Sequence, residues 1–211
     1  MPSQDFRAEL LILSQQLQTN PMVEVTELVL PPPLSLETLQ QLCTASNFPT
    51  LPQDIQNTYA QLGGGHIHIT WQCSLEKAGI EPYQQEEITQ VQGQITLSSI
   101  TTLGQTNPKV NKKKHYPNFE AEELVDIPYF RIIEAWNDVV NVGFLIDEAS
   151  NSIENELYYT LYNADGFHLP SINFQTYLQQ LFYYKGLSDW QHPYLLEQTE
   201  RLDYYINKIF N

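Results

Sequence analysis

Basic residues are scarce in this chain: Lys and Arg number 10 against 25 Asp and Glu, a formal charge of −15 over 211 residues. A field of that sign repels a phosphate backbone and disfavours direct nucleic-acid binding. It draws basic partners and speeds their association in a salt-dependent way. It also serves simple solubility, so charge alone does not separate the two roles. Cysteine is scarcer still. Cys43 and Cys73 are the only two, too few for a disulfide framework, and neither has a CxxC or CxH spacing suited to zinc. Both read as small buried apolar residues. No run of about 18 apolar residues occurs, so no membrane-spanning helix is expected. The opening MPSQDFRAELLILSQQ places an acid ahead of its apolar run and has no small-residue cleavage site, so no secretory leader is expected and the cytoplasm is the default compartment.

Aromatic residues are plentiful, with 13 Tyr and 9 Phe, and they supply large buried areas to one substantial core. Residues 3–18 have helical spacing through Phe6, Leu10, Leu13 and Leu17, with Ser3 as the expected N-cap. A short extended piece follows at Val23, Val25 and Leu28, and Pro31-Pro32-Pro33 ends it. Ser35 caps a second helix with Leu36, Leu39 and Leu42 on one face. In LPQDIQNTYAQLGGG, Pro52 suits a first turn and Ile55, Tyr59 and Leu62 form the buried stripe. Gly63-Gly64-Gly65 stops that helix. HIHITW then alternates as a strand, with Ile67, Ile69 and Trp71 on one face and His66, His68 and Thr70 on the other.

Residues 74–92 read as an exposed polar excursion. Gly93 opens a strand, GQITLSSITTL, that turns helical near Ser98. Residues 104–120, with Gly104, Pro108 and Lys112-Lys113-Lys114, read as a long, mobile, exposed loop. β character returns from Ile127, where Phe130, Ile132 and Ile133 lead into Trp136, and further strands are expected at Val139–Ile146 and Glu156–Tyr162. A helix starts near Asn173 with Phe174, Tyr177, Leu178, Leu181 and Phe182 inward, capped by Ser171 or Asn173, and Gly186 ends it. A last helix covers about 193–209 with Leu195, Leu202, Tyr205, Ile206 and Ile209 inward. Helices at both ends around a run of strands, without βαβ alternation, imply an α+β fold: a largely antiparallel sheet with helices packed on it, and extra N- and C-terminal helices.

Several of these segments resemble the SUKH superfamily, the Smi/Knr-type cell-wall regulators and bacterial toxin-immunity proteins. FPTLPQDIQNTYAQLGGG is similar to the family's signature helix, in which Leu-Pro starts a short helix with a Gly-rich stop. GQITLSSITTL resembles its strand entering a helical turn, and FRIIEAWNDVVNVGFLID and ELYYTLY its later strands. INFQTYLQQLF is similar to its closing helix, with Phe174, Tyr177-Leu178 and Leu181 in the recurrent places. The resemblance covers about 34–184 of a single domain spanning 1–211. Gly63 stands where the family has Asn, the loop 104–120 is long, and the helix 193–209 lies outside the family core. The resemblance implies a non-enzymatic protein-binding module with no catalytic residues to carry over. An immunity-type protein neutralising a basic toxin domain is one form, and a regulatory scaffold recruiting a cellular enzyme is the other.

The residues themselves offer few sites for chemistry. His66 and His68, two apart on a strand, would share a face and could meet one ion, as a metal-dependent hydrolase would need. No further ligands are apparent, and polar surface explains the pair as well. Cys43 has no histidine fixed near it, and Ser98-Ser99 lacks a GxSxG context. The glycines at 63–65 follow a helix instead of opening one, so they are no phosphate cradle. Glu86-Glu87 and Glu122-Glu123 read as solvated surface, as does the lysine run 112–114. No cofactor is expected. Tyr158, Tyr159 and Tyr162 interleaved with Asp147, Glu148, Glu154 and Asp165 suit an interface for a basic partner, tyrosines anchoring and acids steering. The alternative places these tyrosines in the core. Strand alternation sends Tyr158 and Tyr159 to opposite faces, so one can be core and the other exposed.

Overall fold

A computed structural model describes residues 5–46, 48–103, 109–111, 124–126, 130–136, 140–147, 149–161, 167–168, 172–188, 190–191 and 198–211. For 109–111, 124–126, 130, 135–136, 140–141, 154, 159–161 and 167–168 it describes the backbone alone. The chain is an α+β protein with antiparallel sheets of three and four strands. It divides into two compact units, one formed by Met1–Leu30, Ile67–Ile95 and Leu178–Asn211, the other by Pro31–His66 and Thr96–Tyr177.

The first unit is built on helix α1 (Phe6–Thr19) and the strands β1 (Glu24–Val29), β2 (Ile67–Ser74) and β3 (Gln90–Leu97), ordered β1-β2-β3. Helix α1 buries Phe6, Leu10, Leu13 and Leu17, the stripe that its spacing predicts. Its N-cap is Asp5, whose Oδ1 accepts the Ala8 amide at 2.9 Å; Ser3, expected in that role, lies outside the described residues. Along β2, burial alternates residue by residue, with Ile67, Ile69, Trp71 and Cys73 inward. The excursion after β2 is more structured than its polarity suggests. It holds the one-turn helix α4 (Leu75–Ala78) and a 3₁₀ turn at Tyr83–Gln85. Helix α7 (Glu200–Phe210) turns Leu202, Tyr205, Ile206 and Ile209 inward; it begins later than its pattern predicts, and 192–197 lie outside the described residues.

Gly93 lies inside β3, not at its start. A Cβ there would meet the Trp71 indole at 2.2 Å, so the missing side chain is the space the ring occupies. The Trp71 Nε1 donates to the Lys185 carbonyl at 2.7 Å. The outer edge of β3 is taken by residues after the closing helix: Gln94 N donates to Gly186 O at 2.6 Å and Ser188 N to Gln92 O at 2.9 Å.

The second unit contains α2 (Leu36–Ala45), α3 (Gln53–Gln61), α5 (Ile100–Leu103) and the strands β6 (Phe130–Trp136), β7 (Val140–Asp147), β8 (Ser152–Leu161) and β9 (Phe167–His168), paired in that order. A ribbon of β4 (Lys109–Asn111) and β5 (Leu124–Asp126) pairs antiparallel. Lys109–Asn111 are therefore strand where a loop is expected; 104–108 and 112–120 lie outside the described residues. Ser35 caps α2 through the Thr38 amide at 3.1 Å. Leu39 is buried there, whereas Leu36 is 40 % exposed, against its expected place on the inner face. Gly63, Gly64 and Gly65 all take left-handed φ, and Gly65 runs so close to Ser98 that a Cβ would lie 2.2 Å from its carbonyl oxygen. This is a helix stop that also brings two backbones together. Helix α6 (Phe174–Tyr183) is capped by Asn173, whose Oδ1 accepts the Thr176 amide at 2.9 Å. Phe174 is fully buried, stacked on Tyr59 at 5.4 Å and meeting Phe144 edge-on at 5.5 Å.

Gly93→Ala is expected to lower stability by about 1–3 kcal/mol, the range for forcing an extra carbon into a packed site. Urea denaturation measures it, and an unchanged midpoint would show that the indole can move aside.

Candidate partner-binding surface

The residues expected to meet a partner lie on β7, β8 and their connections. The register pairs Phe144 with Leu157 and Ile146 with Ile153, so β8 carries extra residues between these pairs. Leu157 and Ile153 are buried, and Glu156 on the alternate face is exposed. Tyr158 stands opposite Gly143 and Tyr159 opposite Val142. Tyr158 is half-buried. Tyr159 and Glu154 are placed in β8 by their backbone alone. Glu148, Tyr162 and Asp165 lie outside the described residues.

Asp147 closes β7 and is fully solvent-facing. Its carboxylate is nonetheless held: Ser150 Oγ donates to Oδ2 at 2.5 Å and the Ala149 amide to Oδ1 at 3.0 Å. Those bonds, the Ser150 hydroxyl first, hold the carboxyl below its ordinary range. Asn151 in the same turn has φ of 47°, a conformation Asn tolerates better than most residues. The turn is also braced, since Thr50 N donates to Asn151 O at 3.0 Å and Ile153 N to Thr50 O at 3.1 Å. The result is a fixed, ionised carboxylate at the tip of a hairpin.

The alternative sites are less well formed. His66 precedes β2 in a left-handed conformation, φ 59°, so it is not part of the strand that its spacing suggests. His68 Nε2 instead lies 3.3 Å from Glu27 Oε2 on the neighbouring strand. Among the described residues no group of three or more His, Cys, Asp and Glu could hold a metal ion. Burial pushes both the Cys43 and Cys73 thiols up, away from the thiolate. Ser99 Oγ accepts the Thr102 amide at 3.1 Å, the work of a cap for α5. Glu86 is not the solvated acid its neighbourhood suggests: it pairs with Arg201 Nε at 2.7 Å and accepts the Tyr205 hydroxyl at 2.9 Å. Glu87 is exposed, and Glu122, Glu123 and Lys112–Lys114 lie outside the described residues.

Two polar clusters have no counterpart in the sequence reading. Glu134 is 1 % exposed and receives the Tyr177 hydroxyl on its Oε2. A register shift between Ile132 and Glu134 makes β6 bulge, and a bulge lets the adjacent Ile133 and Glu134 both turn inward. The signal was an acid inside the apolar run FRIIEAW. The second cluster gathers on Asp54, whose Oδ2 accepts Asn155 Nδ2 at 2.5 Å and Gln175 Nε2 at 3.2 Å. It ties the start of α3 to β8 and α6.

No helix among the described residues is long and apolar enough to cross a membrane. Comparison with known protein families, curated proteins and solved structures finds no match to the chain.

Ser150→Ala is expected to raise the Asp147 pKa toward the ordinary carboxylate value, followed by carboxyl-carbon NMR titration. The sign follows from the depressed pKa: the turn's stabilisation is present above the pKa of an unfolded Asp and lost as pH falls through the lower folded value. An unmoved titration would remove the hydroxyl as the cause. Tyr177→Phe leaves the buried Glu134 without that donor and is expected to destabilise by about 1–3 kcal/mol in chemical denaturation; wild-type stability would show that the bond contributes nothing net.

Proposed function

We propose that this protein is a cytoplasmic, non-enzymatic binding module of the SUKH type, an immunity-type protein that receives a basic toxin domain on the acidic surface around the β7–β8 turn. The observation that supports this most is Asp147: an exposed carboxylate, held in place by Ser150 and Ala149 and kept ionised, on a chain of charge −15. A carboxylate already fixed in the free protein loses little conformational freedom when a cation meets it. Acids at the rim steer a basic partner from a distance, and a half-buried Tyr158 beside them supplies amphipathic contact area. The SUKH-like order of the signature helix, strands and closing helix adds to the same reading.

Affinity capture followed by surface-binding kinetics at two salt concentrations tests it. A dedicated toxin binds tightly and alone, whereas a regulatory scaffold brings several cellular proteins. Replacing Asp147, Glu148 and Glu154 by Asn or Gln is expected to slow association more than it speeds dissociation. Tyr158→Ala is expected mainly to raise the off-rate, costing ~2 kcal/mol if the ring is an anchor. The Debye length shortens to about 8 Å at physiological ionic strength, so association should fall steeply with salt. Salt-independent association with full affinity in the triple variant would overturn the electrostatic account.

A further inference from the structure

In the first unit, residues 76–89 join β2 to β3 as a strap in which no residue is buried. Its apolar residues Ala78, Ile80, Pro82, Tyr83 and Ile88 are all half-buried, so the strap has no core anchor of its own. At its base the Leu75 amide donates to the Thr89 carbonyl at 3.0 Å. Away from the base, the hydrogen bonds that 81–88 make to other described elements all go to α7. Tyr204 Oη donates to the Glu81 carbonyl at 2.7 Å, and the Tyr83 amide donates to Tyr205 Oη at 2.9 Å. Glu86 receives Arg201 Nε at 2.7 Å on one carboxylate oxygen and the Tyr205 hydroxyl at 2.9 Å on the other. The Tyr83 and Tyr204 rings meet at 5.4 Å.

The strap is also strained. Gln84 (φ 46°, ψ 35°) and Gln85 (φ 62°) take left-handed conformations in succession, a region that suits Gly, Asn or Asp. The Gln84 side-chain amide reaches only the Tyr83 hydroxyl, at 3.1 Å and within the strap itself. Such a backbone persists where its surroundings over-determine it. Here the flanking residues do so, because Tyr83 on one side and Glu86 on the other both bind the Tyr205 hydroxyl. Glu86 supplies the only charge on the strap's side of these contacts, and charge makes its bonds stronger than the neutral ones nearby.

We propose that 76–89 is a spring-loaded strap, pinned shut by Glu86, that opens as a unit while the two strands it joins stay folded. Closed, it occupies the Arg201 guanidinium and the hydroxyls of Tyr204 and Tyr205. Open, it releases all three together. Arg and Tyr are residue types that dominate protein interfaces, so the closed strap acts as a cover over them. The strap carries Glu76, Glu81, Glu86 and Glu87 against Lys77 alone, on a chain of charge −15. Like-charge repulsion therefore favours its departure once the pin is lost.

Native-state hydrogen exchange of the full chain tests this at the Ile80, Tyr83 and Glu86 amides, which bond to Leu75 O, Tyr205 Oη and Tyr83 O. The three are expected to exchange through one opening, about tenfold or more frequent than the opening that frees the β2 amides. Glu86→Gln keeps the shape and removes the charge. It is expected to speed all three about tenfold and to leave β2 unchanged. Gln85→Gly relieves the left-handed backbone and keeps the pin, and it is expected to slow the three about threefold. Strap exchange at the β2 rate, unchanged exchange in Glu86→Gln, or equal acceleration of strap and β2 would each overturn the proposal. Unchanged or faster exchange in Gln85→Gly would overturn it as well, because the spring would then be absent.

Discussion

The indole of Trp71 occupies the space left by Gly93 on the neighbouring strand, and its N–H reaches the carbonyl of Lys185. Much of the first unit is arranged around that ring. Its edge meets Phe210 at 5.4 Å, which draws the end of α7 to the sheet. Its hydrogen bond sets the turn that follows α6, and from that turn Gly186 and Ser188 reach the edge of β3. A large ring with one polar atom suits such a place, because it fills volume and directs one bond at the same time.

In the second unit, irregular strands decide what faces where. The shift in β6 brings Glu134 inward beside Ile133, where Tyr177 meets it. The shift between β7 and β8 precedes the turn that displays Asp147. A buried acid with hydrogen-bond partners helps specify one core arrangement, and an exposed one fixed by its own turn is ready for a partner.

Periodic elements were readable from residue order. The stripe of α1, the alternation of β2 and the inward face of α6 each repeat a burial pattern that apolar spacing reports directly. Backbone conformation was harder to read. Nothing in HIHITW says that His66 has left the strand geometry with a positive φ. Gly93 looked like a strand start because glycine usually marks boundaries; its reason is a tryptophan 22 positions earlier, as the numbering of the two residues shows. The Asp54 cluster joins residues 101 and 121 positions apart, and no local pattern contains such pairings. Of the residues expected at an interface, Asp147 lies exposed in a turn, as its turn chemistry suggests.

The three residues Gly186–Ser188 also bear on how this molecule behaves in a crowd. An uncovered strand edge offers amides and carbonyls to any extended chain that drifts past. Here the Gln94 amide and the Gln92 carbonyl are already engaged, so lateral growth of the sheet on that side is blocked by the protein's own backbone. The shield is short, and Gly186 lies too near the Gln94 carbonyl for a side chain to be added there. Resistance to self-association on this flank therefore rests on one glycine and a turn, and damage there would expose a template for polymerisation before the rest of the fold had come apart.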